Sequence, residues 1–230
     1  MSPQTSSNSR LWKVAGGLVL AHVVLVFGGF ALQKSPLLGD TTKHVTAALV
    51  DSSMTKVFTG GYIEYLGFLV FLVAGTLLAR LLRGTGEISA WLSSTVAATA
   101  VSYTAVTLAS GFAAGAAALY NGHHGASLET ITTVNDVRNF AFFLSVGLLG
   151  VFALAVAGAI QATGILPRWL AYAGYVIGVL NIASVAGVAW DAVNEVNLLW
   201  FVWFVTLGAV ALRGPRTTPA VSREAAVAGV

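Results

Sequence analysis

The chain has 230 residues, 57% of them hydrophobic and only 9% charged, with a formal net charge of +3 and no cysteine. So little charge excludes an ordinary soluble domain, and the lack of cysteine excludes disulfides, thiol catalysis and thiolate ligation of zinc or iron-sulfur clusters. The basic residues are distributed by side of a membrane rather than gathered into a footprint, which argues against nucleic acid as a partner.

The apolar runs are long enough to cross about 30 Å of hydrocarbon as helices. The first predicted span covers Leu11 to Leu32. Arg10 and Lys13 before it give it the look of a signal peptide, but it is too long, and Gln33-Lys34-Ser35-Pro36 lacks a small-x-small cleavage signal, so an uncleaved helix is expected. His22 sits near its middle and needs a helix neighbour, water or a ligand. Gly16-Gly17 and Gly28-Gly29 allow close backbone approach.

Gln33 to Gly60 is the longest connection, opened by a Pro36 turn and carrying Asp40, Lys43, His44, Asp51 and Lys56. Val45, Ala48, Leu49 and Val57 among polar neighbours predict a short interfacial helix within Thr42 to Val57, either as a packed loop or as a lid over an outer cavity. The second span runs from Tyr62 to Leu82, with Tyr62 and Tyr65 as belt aromatics, Glu64 near the same boundary, and Arg80 and Arg83 at the far end. The short Gly84-Thr85-Gly86-Glu87 connection returns the third span beside it.

That third span, Ser89 to Tyr120, exceeds a vertical crossing, so a tilt, a break or an extension beyond the bilayer must absorb the excess. Its small residues and Gly111-x-x-x-Gly115 favour close helix packing, while Ser102, Tyr103 and Thr107 are placed to line a polar cavity. A polar connection from Asn121 to Thr133 follows, including His123, His124 and Glu129. The fourth span is expected from Asn135 to Gln161, capped by Thr132, Thr133 or Asn135, with Asp136 at the positive helix end. Arg138 fits poorly there unless it snorkels or pairs with Asp136, Glu129, Glu64 or an acid near the sixth span.

The fifth span, Trp169 to Val188, holds Asn181, whose buried amide should bond another helix or face a hydrated or ligand-filled space. Asp191 and Glu195 mark the boundary before the sixth, Val196 to Leu212, where Trp200 and Trp203 are belt or cavity aromatics. On one side of this six-span topology fall Arg10, Lys13, Arg80, Arg83, Arg168, Arg213, Arg216 and Arg223; on the other only Lys34, Lys43, Lys56 and Arg138. The positive-inside rule therefore puts both termini in the cytoplasm.

At Gly164-Ile165-Leu166-Pro167-Arg168-Trp169-Leu170, followed by Ala171-Tyr172-Ala173-Gly174, the chain resembles an uncharacterised family of bacterial six-helix integral membrane proteins. The resemblance implies a junction in which proline ends one helix, arginine sits at the cytosolic interface and tryptophan anchors the next. It implies no catalytic role for any residue.

The expected fold is all-α: a polytopic bundle of six transmembrane helices over residues 1–212, then a flexible cytoplasmic tail, 213–230, in a bacterial cytoplasmic membrane. Ligand or gate candidates are His22, Glu64, Tyr103, Asp136, Arg138, Asn181 and Asp191. His123 or His124 with Glu129 is the candidate metal set, though adjacent histidines lack a metal-site spacing; no other cofactor has a motif here. No serine in a nucleophile setting, phosphate loop or dinucleotide fingerprint assigns an enzyme activity. The leading functional reading is a small-molecule or lipid-binding membrane protein, with transport as one form of it. Behind it come a structural or protein-recruiting subunit, acting with a second copy or another membrane protein, and a membrane-embedded metal enzyme.

Overall fold

The computed structural model describes residues 3–33, 35–187 and 193–215, with side chains from residue 9 onward and, in the last segment, from residue 195. The helices are α1 (Pro3–Phe30), α2 (Thr42–Leu49), α3 (Met54–Leu81), α4 (Glu87–Val106), α5 (Ala113–His123), α6 (Leu128–Thr163), α7 (Arg168–Ala186) and α8 (Val193–Arg213), with a π-helical segment, Thr107–Phe112, joining α4 to α5. Among the described residues six helices are long and apolar enough to cross a membrane: α1, α3, α4 continued through the π segment into α5, α6, α7 and α8. The chain is an all-α, multi-span membrane protein.

The helix ends correct several expected boundaries. Ser53 accepts the Lys56 N–H at 3.4 Å and starts α3 at Met54 rather than Tyr62. Ser127 accepts the Thr130 N–H at 3.3 Å and starts α6 at Leu128 rather than Asn135. Neither Thr132, Thr133 nor Asn135 is the cap, and the first-turn acid of α6 is Glu129, not Asp136. The physical reason is common to both cases: an apolar run marks where hydrocarbon begins, whereas a helix begins at its cap and projects polar turns beyond that level. At the other end of α6, Gly164 takes the left-handed conformation, φ 65°, and closes the helix before Pro167 opens α7.

Packing follows a closed ring: α1 against α3, α3 against α4, α4 against α6, α6 against α7, α7 against α8, and α8 back against α1. Gly29 and Gly60 bring α1 and α3 into backbone contact, since a Cβ on Gly29 would stand 2.6 Å from the Gly60 carbonyl oxygen. Ser93 of α4 donates its hydroxyl to the Ala79 carbonyl of α3. Inside the ring, one half is filled by aromatic side chains. Phe71, Phe152, Trp200 and Phe204 are fully buried, and Trp200 stacks on Phe204 with ring centres 4.5 Å apart. The expected belt or cavity role of Trp200 and Trp203 is overturned: both are core residues, their indole N–H groups donating to the Leu149 and Leu170 carbonyls at 3.1 Å.

The other half of the ring interior carries α2. Val45, Ala48 and Leu49 of this short helix pack on Ala118, Leu119 and Ile131, forming a second, smaller apolar cluster. The expected interfacial helix is thus real but shorter than the Thr42–Val57 window, because Ser52 and Ser53 interrupt it.

Candidate functional site

Beneath α2 the ring encloses a cavity of about 390 Å³, within the range of small-molecule pockets. Most of its wall is apolar, including Phe27, Phe68, Phe142 and Phe201. Its polar lining includes Gln33, Glu64, Tyr103, Asn135, Arg138 and Ser145. Three expected candidates, Glu64, Tyr103 and Arg138, therefore meet on one cavity although they come from α3, α4 and α6.

Each is positioned by local structure. The Gly29–Gly60 contact brings the end of α1 against α3, and Gln33 there donates its amide to Glu64 Oε2 at 2.8 Å. Glu64 Oε1 has no hydrogen-bond partner among the described residues. Arg138 crosses the face of α5 at Gly115, where a Cβ would stand 2.9 Å from the Arg138 Cδ, so a larger residue there displaces the arginine side chain. The guanidinium makes no hydrogen bond and no ion pair within 4.0 Å among the described residues; Glu64 is the acid that shares the cavity lining with it.

The third span is one helical run, Glu87–His123, interrupted by the π segment. A wider turn displaces the helix register and sets Thr107, Gly111 and Phe112 on the cavity wall. Thr107 and Ser145 hydroxyls join α4's end to α6 at 3.0 Å, and Ser145 also donates to the Ala141 carbonyl at 2.8 Å. Gly111 and Gly115 both line the cavity: Gly115 lies against Arg138, while Gly111 faces α6, where a Cβ would stand 3.8 Å from the Ala141 Cβ, as close helix packing expects. Asn135 donates its amide to the Pro36 carbonyl at 3.2 Å, tying the loop after α1 to α6, while its Oδ1 is buried without a partner. Ser102, by contrast, is exposed and off the cavity.

The remaining candidates lie elsewhere. His22 is buried in the aromatic half, its Nδ1–H donating to the Gly67 carbonyl at 2.8 Å and its ring 5.0 Å from Phe71. Asn181 bonds neither another helix nor a cavity; its amide donates to Ile177 of its own helix at 2.9 Å. Asp136 is two residues from Arg138, about 200° around α6, and does not reach the cavity. Asp191 lies outside the described residues. His124 stacks on Tyr120 with ring centres 3.9 Å apart and meets its carbonyl at 2.7 Å. Among the described residues no three His, Asp or Glu side chains gather to hold a metal, so His123, His124 and Glu129 are not assembled into such a group.

Sequence reasoning missed Gln33 and Ser145 and took Asn135 for a cap. Asn135, Arg138, Phe142, Ser145 and Leu149 follow helical spacing along one face of α6. That stripe becomes visible once the helix is started at Leu128.

A family model described as a domain of unknown function (DUF4386) matches residues 14–212. No curated protein and no solved structure matches the chain.

Proposed function

The chain belongs to the DUF4386 family, and for this member we propose a binding function: the cavity holds a small amphiphilic molecule, either a metabolite or part of a lipid. The observation that carries the proposal is Arg138, a cation inside a membrane bundle that lines open space and has no acceptor among the described residues. Charged groups at membrane depth are costly and are retained where they meet a partner, water or a ligand. The apolar wall suits the rest of an amphiphile, and Gln33, Tyr103, Thr107 and Asn135 offer the sparse polar contacts that fix orientation.

Orientation follows from charge. Arg80, Arg83, Arg168 and Arg213 lie at the end of the bundle away from α2, so the cavity occupies the half facing out of a bacterial cytoplasm. The packed ring of Phe71, Phe152, Trp200 and Phe204 beyond it favours binding over continuous passage, and transport requires those aromatics to part.

Native mass spectrometry of protein extracted gently from its membrane tests the proposal. One defined extra mass per chain is expected, lost on Arg138→Gln. A bare chain, or a stoichiometric protein partner in place of a small molecule, turns the reading toward a structural or protein-recruiting subunit.

A further inference from the structure

We infer that the polar end of the cavity's ligand is zwitterionic, with an anionic group on Arg138 and an ammonium on Glu64. The inference rests on the binding reading above and specifies the chemistry of the occupant.

The charge balance of the cavity supports it. Arg138 and Glu64 line the same space, yet no ion pair within 4.0 Å joins them among the described residues. An anionic ligand satisfies Arg138 but stands near the Glu64 carboxylate; a cationic one satisfies Glu64 and stands near the guanidinium. A zwitterion pairs both and adds no net charge to a region where unpaired charge is costly. The matching is also one of hydrogen bonds. Arg138 offers only donors, in a fork suited to phosphate or carboxylate. The acceptor left open is Glu64 Oε1, freed when Gln33 takes Oε2; Asn135 Oδ1 also lacks a partner but is sealed in a residue only 2% exposed, so a donor on the ligand reaches it only when the side chains around it shift. The Asn135 assignment is fixed because its other amide atom meets the Pro36 carbonyl, which can only accept. A primary ammonium supplies the N–H donor that Glu64 Oε1 lacks.

The cavity's rim indicates how such a molecule arrives with an apolar tail. Phe27 and Phe30 of α1 and Leu198 of α8 line the cavity and are 44%, 44% and 54% exposed, so they stand at its mouth rather than in the packed core. These residues form an apolar passage toward the lipid, so a chain attached to the zwitterion lies against Phe27 and Phe201, whose rings are 5.0 Å apart.

Four probes separate the charge requirement from the source of the ligand. Binding of lyso-phosphatidylethanolamine, lyso-phosphatidylglycerol, dodecylamine and free leucine is measured by titration of the purified full chain in detergent. The zwitterionic lipid is expected to bind at least about tenfold more tightly than the anionic lipid or the amine, the scale of one charged hydrogen-bonded contact. Glu64→Gln, which preserves shape, should erase the preference over lyso-phosphatidylglycerol and retain binding; Arg138→Gln should erase the preference over dodecylamine. Leucine binding as tightly as the zwitterionic lipid assigns the same chemistry to a soluble source. Equal binding of lyso-phosphatidylethanolamine and lyso-phosphatidylglycerol, or a preference unmoved by Glu64→Gln, overturns the zwitterion and leaves the binding reading in place. No binding by any probe overturns both.

Discussion

His22 lies among Phe68, Phe71, Phe201 and Phe204 with its Nδ1–H on the Gly67 carbonyl, whereas Arg138 lines open space and meets no acceptor among the described residues. The contrast extends to their surroundings. In the aromatic half, Trp200, Trp203 and Ser93 each give their donor to a backbone carbonyl of a neighbouring helix, so polar atoms there serve as fasteners. In the cavity half, Glu64 keeps one carboxylate oxygen open and Arg138 keeps its whole fork open, while Asn135 holds one amide oxygen buried and unpartnered. The difference shows that membrane depth alone does not identify a functional polar group. An unmet hydrogen bond alone does not identify one either, since His22 Nε2 is also buried without a partner; what separates Arg138 is the open space that it lines.

Removing a fastener and removing an open charge should therefore have unequal effects on stability. Trp200→Ala deletes a fully buried ring and its bond to Leu149, and is expected to cost about 3–5 kcal/mol. Thermal unfolding in detergent measures this against Trp91→Ala, whose ring is 66% exposed. Equal losses for the two variants break the distinction between core and periphery. Arg138→Met should leave the ligand-free protein within about 1 kcal/mol of the parent, or more stable, because no close ion pair is broken and an uncompensated charge is removed. A loss of about 3–5 kcal/mol, the penalty for breaking a buried pair, makes Arg138 a fastener after all.

The helix class and the six apolar spans were legible in the sequence because membrane crossing demands long apolar runs, and such runs survive any arrangement of the bundle. Trp169 is 52% exposed beside Arg168, but Gly164 ends α6 and Pro167 opens α7, so proline does not end the helix in the way the junction pattern implies. The ring order and its hollow half were not legible, since they depend on contacts between distant helices such as Gly29 with Gly60 and Asn135 with Pro36. Arg138 and Glu64 stood out as charges at odds with their setting. Their convergence was hidden by the misplaced start of α6, which put Asp136 and Arg138 in a first turn they do not occupy. Asn181 lies off the cavity: one turn back along its own helix the Ile177 carbonyl takes its donor, while its Oδ1 stays buried without a partner.

Ser145 and Ser93 offer the most direct test that one half of the ring interior is an open chamber and the other a sealed core. Both serines are only 4% exposed, but Ser145 lines the cavity and Ser93 is fastened between α4 and α3. Because the chain has no cysteine, Ser145→Cys and Ser93→Cys each carry a single thiol with no background to remove. A small, charged, membrane-impermeant methanethiosulfonate reagent added to the outside of intact cells should label Ser145→Cys, with lyso-phosphatidylethanolamine slowing the reaction, and leave Ser93→Cys unmodified. If Ser145→Cys is as inert as Ser93→Cys, the cavity is neither hydrated nor open to the outer side, and the binding account is contradicted.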